Sequence, residues 1–188
     1  PLAEFIPAFS VQRVFLDADN PAIGHTRFRE SEITIEHLLT HTSGLGNRNS
    51  DIYRTEGVRS RSISLEQMAD NAARVPLFED PGTRFRYGIS TTVLGRVIEI
   101  VSGQPLEQFL SDRIFEPLDM KDTVFWASSE RATRLALLYR PSSNGTLQPH
   151  AIERLPFTEK PTLLEGGVGL LSTVRDYSRF AQMILNQG

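Results

Sequence analysis

Cysteine is absent from the 188-residue chain, so disulfide bonds and thiolate chemistry are both excluded. This absence assigns no redox compartment, because many secreted proteins also lack cysteine. The chain also lacks an initiator methionine and opens with PLAEFIPAFSVQRVF, which predicts that it comes from the middle of a longer protein. The missing signal segment therefore says nothing about localisation, and both a periplasmic and a cytoplasmic location stay open.

Clusters of basic residues are missing as well. Lys and Arg total 20 against 23 Asp and Glu, a formal net charge of −3, which gives no electrostatic reason to expect nucleic acid or an anionic membrane as a partner. No apolar run is long enough to span a bilayer. With 39% hydrophobic and 23% charged residues, the composition is typical of one globular domain, or part of one, acting on a small molecule of little charge. Nothing in the sequence sets the oligomeric state.

Apolar residues recur at helical spacing in four segments, which are residues 31–40, 64–75, 91–103 and 105–118. The first helix is expected to end in the glycine-containing HTSGLG, and the third at Gly103. The core face of the third helix is predicted to consist of Val93, Leu94, Val97, Ile98 and Val101.

The pair Asn144-Gly145 predicts a tight turn between two antiparallel strands, the first of which covers residues 135–139. Helices combined with a few antiparallel strands indicate an α+β fold.

Two patterns suggest ligand sites but match them poorly. His37 and His41 have the spacing of a zinc-binding helix, yet Leu38 stands where the motif needs glutamate, and no third ligand is evident. EGGVGLLST, residues 165–173, resembles a phosphate loop without its lysine and without the full GxGxxG order. Its glycines are expected instead where two backbones approach closely. We therefore expect neither a metal nor a cofactor.

A serine nucleophile is hard to place in this chain. There is no GxSxG elbow, and Ser43 in HTSGL stands where a serine commonly satisfies the backbone of a turn. Tyr87, in PGTRFRYGIS, is the other candidate for chemistry. Taken alone, a tyrosine in this position is expected to pack its ring and to hydrogen-bond its hydroxyl group.

Several longer stretches together change that interpretation, because they follow one another in the order found in one family. These stretches are EFIPAF, ITIEHLLTHTSGL, PGTRFRYGISTTVLGRVIEIVSGQPLEQFLSDRIFEPLDMKDTVF and GGVGLLSTVRDYSRFAQMILNQG. The chain resembles the serine β-lactamase-like family, which comprises class C β-lactamases, D-alanyl-D-alanine carboxypeptidases and β-lactamase-fold carboxylesterases. The resemblance covers nearly the whole chain. It implies that residues 1–188 form an incomplete β-lactamase/transpeptidase-like domain, mostly its helical region with a small antiparallel hairpin.

The family uses a nucleophilic serine and a lysine in an S-x-x-K motif, followed much later by a strand with a K-T-G-like or H-x-G-like motif. Neither motif occurs in this chain. The resemblance therefore implies that the nucleophile lies outside residues 1–188, and that these residues alone are inactive. It also places the family's tyrosine at Tyr87, with the role of general base or proton relay.

A tyrosine that acts as a base needs a nearby cation. A free phenol has a pKa of about 10, so work near pH 7 requires about 4 kcal/mol of electrostatic stabilisation. Arg84 and Arg86 are close in sequence, but in an extended TRFRY segment they point away from the face shared by Phe85 and Tyr87. The family's lysine, or a cation on the later strand, is the better candidate.

The residue two places after the tyrosine bears on the substrate. β-Lactamases and carboxypeptidases of the family carry Y-x-N, whose amide group binds the substrate amide, whereas this chain has Tyr87-Gly88-Ile89. Isoleucine neither donates nor accepts a hydrogen bond, which favours hydrolysis of a small carboxylic ester through an acyl-enzyme. A β-lactamase or D-alanyl-D-alanine carboxypeptidase stays the alternative. A third is a non-catalytic relative that binds peptidoglycan or a protein partner.

Overall fold

The computed structural model describes residues 1–150 and 157–188. They fall into two compact units, the first comprising Pro1–Ile114 with Thr162–Val168 and the second Phe115–Pro161 with Gly169–Gly188. The elements of the first unit are two short 3-10 helices (Leu2–Glu4 and Pro7–Val11), β1 (Arg13–Phe15), β2 (Thr26–Phe28), α1 (Ile35–Leu39), α2 (Asp51–Thr55), α3 (Leu65–Arg74), α4 (Ser90–Ser102) and α5 (Leu106–Leu110). Those of the second are α6 (Ser129–Ala132), β3 (Tyr139–Pro141), β4 (Leu147–Pro149) and α7 (Val174–Leu185). The predicted α+β class is confirmed.

Polar side chains begin the helices of the first unit. The Thr34 hydroxyl accepts a hydrogen bond from the His37 N–H at 3.1 Å, and His37 Nδ1 accepts one from the Thr34 N–H at 3.3 Å. Ser64 and Gln67 form the same reciprocal arrangement at the start of α3. His37 is therefore part of a helix cap. The residue with positive φ after α1 is His41 (φ 54°), so the prediction that glycine ends this helix was wrong.

Helix α4 packs against α1, α3 and α5. It is followed by Gly103 in the left-handed conformation, as predicted. The predicted core face was partly wrong, because Val93 and Val97 are buried whereas Leu94 and Ile98 are half-buried and Val101 is 68% exposed. The buried face instead includes Thr92 and Gly95.

A close backbone approach explains this rotation of the buried face. A Cβ atom on Gly95 would lie 3.1 Å from the Leu106 side chain and 3.3 Å from the backbone of Gly166. Small residues therefore face the contact, and the larger aliphatic residues of α4 point elsewhere.

The predicted helix over residues 105–118 is shorter than expected. Pro105 is the N-cap of α5 rather than its first residue, and the chain continues as a π-helical turn over Ser111–Phe115. Leu106 is fully buried.

In the second unit, β3 and β4 form the predicted antiparallel hairpin, with Arg140 opposite Gln148 and Gly145 in the turn at φ 81°. The first strand begins at Tyr139 rather than at residue 135. Helix α7 is fixed at its start by the buried Asp176, whose carboxylate accepts hydrogen bonds from the Asp122 N–H at 2.7 Å and from the Thr123 hydroxyl at 3.0 Å.

Within residues 1–150 and 157–188, no helix combines the length and the apolar character needed to cross a bilayer.

Candidate active site around Tyr87

Two segments distant in sequence, residues 41–46 and 78–89, are joined by backbone hydrogen bonds. The Arg86 N–H donates to the His41 carbonyl at 2.8 Å, and the Ile89 N–H donates to the Gly46 carbonyl at 3.1 Å. Two further bonds join Phe78 N–H to the Gly44 carbonyl and Gly82 N–H to the Thr42 carbonyl, both at 2.8 Å. The HTSGL and PGTRFRYG motifs therefore hold each other in place.

Gly88 allows a close approach between these segments. A Cβ atom at this position would lie 2.3 Å from the Gly46 carbonyl oxygen and 2.5 Å from that of Leu45, so only glycine fits without a backbone shift. Beneath this contact, the fully buried Tyr53 hydroxyl accepts a hydrogen bond from the Gly46 N–H at 2.8 Å. Burial raises the pKa of Tyr53 well above its ordinary value, which keeps this hydroxyl neutral.

Tyr87 itself is 65% exposed. Its ring lies 4.9 Å from the His41 ring, centroid to centroid, with the planes tilted by 37°. Among the described residues, no hydrogen bond reaches its hydroxyl group. Exposure and a hydroxyl without a protein partner differ from what a purely structural tyrosine would show, and its catalytic role stays a prediction.

The Tyr87 side chain lines a cavity of about 220 Å³ in the first unit. One wall comes from the polar run that follows HTSGLG, and another from the first turn of α4, where Ile89 is buried. The residues lining the cavity are Asn47, Arg48, Asn49, Tyr87, Gly88, Ile89, Thr91, Thr92, Gly167 and Val168.

The two arginines next to Tyr87 in sequence are directed elsewhere. Arg86 Nε donates to Glu79 Oε2 at 2.6 Å, and its guanidinium group lies 4.7 Å from the centre of the Phe78 ring. Arg84 is exposed. Residues 83–87 form no strand, so the alternation from which the orientation of both arginines was predicted is absent, and Arg86 is bound to Glu79.

Ser43 is a structural residue, as its sequence position predicts. It is buried, its Oγ lies 2.8 Å from Ser90 Oγ, and it accepts a hydrogen bond from the Leu45 N–H at 3.3 Å. These contacts use the hydroxyl to fix the turn that follows α1 and to join it to the first residue of α4.

The glycines of EGGVGLLST also have the structural role that was expected. A Cβ atom on Gly166 would lie 2.5 Å from the Thr91 carbonyl oxygen, and one on Gly167 would lie 2.5 Å from Thr91 Oγ1.

Residues 1–150 and 157–188 contain no cluster of three or more His, Cys, Asp or Glu side chains suited to a metal ion.

The sequence did not single out Arg48, Asn47 or Thr91 as site residues. The only signal for the first two is the polar run NRNSD directly after HTSGLG. That run reaches Tyr87 only because the backbone pairing of residues 41–46 with 78–89 brings it there, and a linear pattern does not show such a pairing.

The α+β fold agrees with the family that the resemblance implied. A model of the family described as Beta-lactamase matches residues 3–188, so the chain belongs to this family.

Among curated relatives, Protein Rv1367c of Mycobacterium tuberculosis is 31% identical over 195 residues, covering 100% of this chain and 47% of that protein. Esterase EstB of Burkholderia gladioli is 36% identical over 104 residues, covering 51% of this chain and 26% of the esterase.

Solved structures agree on the fold. EstCE1, described as a hydrolase with promiscuous acyltransferase activity, has a TM-score of 0.74 and 25% identity, covering 97% of this chain and 50% of its own. A LovD6 mutant of simvastatin synthase from Aspergillus terreus has a TM-score of 0.75 and 28% identity, covering 98% of this chain and 44% of its own. The chain thus spans about half the length of these relatives.

Proposed function

We propose that this chain is the tyrosine-bearing part of a serine hydrolase that cleaves small carboxylic esters through an acyl-enzyme. The observation that carries the proposal is the position of Tyr87, whose exposed side chain lines a cavity and whose hydroxyl has no partner among the described residues. A hydroxyl in this position is available to a reacting group. Relatives that include an esterase and a hydrolase support the same reaction class.

In this proposal, a serine and a lysine outside residues 1–188 complete the site, because the chain has no S-x-x-K motif. The serine Oγ adds to the ester carbonyl carbon while its proton passes towards the tyrosine oxygen. The carbonyl re-forms as the alcohol leaves and takes a proton, and water then releases the acid from the acyl-enzyme. Arg86 is paired with Glu79, and in this proposal the lysine supplies the cation that assists Tyr87.

The preference for an ester rests on Ile89. Its side chain is 3% exposed and lines the cavity, at the position where Y-x-N members of the family carry an amide group. An aliphatic side chain offers no hydrogen bond to a substrate amide, and an ester has the better leaving group. A β-lactamase or D-alanyl-D-alanine carboxypeptidase remains the alternative enzyme, and a non-catalytic relative that binds peptidoglycan or a protein partner remains the alternative from another class.

A second candidate is acyl transfer to an alcohol instead of water. The observation that favours it is the likeness to simvastatin synthase and to EstCE1, the second of which is described as having both activities. Both reactions share the acyl-enzyme and differ only in what accepts the acyl group.

The test is Tyr87→Phe in the full-length protein, which keeps the ring and removes the only group able to carry a proton. We expect kcat/KM for p-nitrophenyl butyrate to fall by about 10²- to 10⁴-fold, as for loss of a general base. Tyr177→Phe is the matched control, since this tyrosine is also 65% exposed but belongs to α7. Residues 1–188 alone should be inactive.

Full activity of the Tyr87→Phe enzyme would disprove the role given to the tyrosine. A chromogenic cephalosporin preferred over the ester by the unaltered enzyme would favour the β-lactamase alternative. No turnover of either substrate by the full-length protein would favour the non-catalytic alternative.

A further inference from the structure

Arg48 is the one charged side chain that lines the cavity beside Tyr87, within the part of the chain that the structure describes. Several other arginines of this unit have carboxylate partners, such as Arg86 with Glu79 and Arg27 with Asp80. Arg48, in contrast, makes no hydrogen bond or ion pair with any described residue, and its Nη1 atom is shielded from solvent without an acceptor. Among the described residues, the positive charge of Arg48 thus has no acidic partner.

Hydroxyl groups add further donors to the same cavity. A Cβ atom on Gly167 would lie 2.5 Å from Thr91 Oγ1 and 3.1 Å from Thr92 Oγ1, so both hydroxyls lie close to the Gly167 backbone, and all three residues line the cavity. The cavity lining contains no acidic side chain among the residues described. Its polar groups are therefore suited to bind an anion.

The chemistry of these groups favours one singly charged ligand. A guanidinium group is always protonated in proteins, and its planar set of N–H donors matches the two oxygens of a carboxylate. A hydrogen bond from a guanidinium group to a carboxylate is charge-assisted and is about twice as strong as one between neutral groups. One arginine with neutral hydroxyls balances a charge of −1, whereas a phosphate dianion would leave an excess of negative charge.

We propose that the cavity beside Tyr87 binds a carboxylate through Arg48, so that the ester cleaved by the enzyme carries a second, ionised carboxyl group. The substrate class is then a half-ester of a small dicarboxylic acid, or a similar acidic ester. As a statement about the substrate, this rests on the proposed ester hydrolysis, but the binding of the anion does not.

The experiment measures binding to the full-length protein carrying Tyr87→Phe, in which turnover of the probe is slowed, by calorimetry or by NMR titration. Monomethyl succinate is the anionic probe and dimethyl succinate its neutral counterpart. We expect the half-ester to bind about tenfold or more tightly than the diester, as for one charge-assisted contact. Arg48→Gln should remove this preference, and Arg48→Lys should retain part of it. Arg140→Gln, which removes an exposed arginine of β3, is the matched control and should leave the preference unchanged.

Equal affinity for the two probes, or no binding of the half-ester by the folded chain, would overturn the inference. So would unchanged preference in Arg48→Gln, or tighter binding of inorganic phosphate than of the half-ester. Circular dichroism of each variant shows that it is folded.

These outcomes do not decide whether the proposed function is correct, because that proposal is tested by the turnover of p-nitrophenyl butyrate in the full-length protein. Ester turnover without anion preference would overturn the inference alone. Anion preference without ester turnover would support the binding site and overturn the hydrolase.

Discussion

Replacing Gly88 by alanine should destabilise the fold, because it adds a methyl group where two backbone segments meet beside the candidate site. The new Cβ atom would lie 2.3 Å from the Gly46 carbonyl oxygen, whereas ordinary contacts begin at 3.4 Å, so the two backbones must separate by roughly 1 Å. That carbonyl accepts from the Ile89 N–H, and the N–H of Gly46 donates to the buried Tyr53 hydroxyl. Overpacking, together with the weakening of these two hydrogen bonds, should lower the free energy of unfolding by about 3 kcal/mol.

For a chain of this size, a loss of about 3 kcal/mol corresponds to a fall in Tm of about 6–12 °C, measured by circular dichroism or calorimetry. Gly24→Ala is the control, because a Cβ atom there meets no atom within 4 Å and the backbone has no positive φ. If Gly88→Ala melted at the same temperature as Gly24→Ala, the close approach of the two segments would be refuted, and with it the geometry of the candidate site.

Two further predictions concern buried side chains. Because burial raises the pKa of Tyr53, the folded state holds the phenolic proton more tightly than the unfolded state does. The contribution of Tyr53 to the free energy of unfolding is therefore complete below about pH 10 and is lost as the pH rises above that value. Tyr53→Phe should cost about 1–3 kcal/mol near neutral pH and flatten the alkaline loss in urea titrations, and an equally steep loss would argue against this origin. In the same titrations, Val93→Asp should lower the free energy of unfolding by about 3 kcal/mol or more, and Val101→Asp should lower it by less than about 0.5 kcal/mol. Equal losses in the two variants would contradict the orientation of α4.

Local features of the fold were predictable from the sequence. The cap at Ser64, the stop at Gly103 and the turn at Asn144-Gly145 depend on residues within a few positions of one another, and the structure contains all three. Such features are set by short-range hydrogen bonds and by the conformational freedom of glycine.

The orientation of α4 was not predictable in the same way. Aliphatic residues occur around much of this helix, and which of them is buried depends on neighbours far along the chain. Gly95 faces Leu106 and Gly166, and this contact leaves Ile98 only half-buried. A pattern of apolar residues contains no information about where a distant glycine makes room.

The same difference between local and long-range features applies to the candidate site. Tyr87 was identified from its motif, and its cavity came only from the structure. Arg48 lies 39 residues before the tyrosine, in a run with no periodicity, so its place at the cavity follows from long-range backbone pairing alone.

That pairing limits how the site can move. The N–H groups of Arg86 and Ile89, on either side of Tyr87, are both bonded to the segment 41–46, so the main chain at Tyr87 is clamped at two points. What remains to the tyrosine is rotation about its own side-chain bonds, a fast motion of small amplitude. In the proposed hydrolase, any slower opening or closing would therefore come from the opposite wall, and the tyrosine would be a fixed point against which the substrate is aligned.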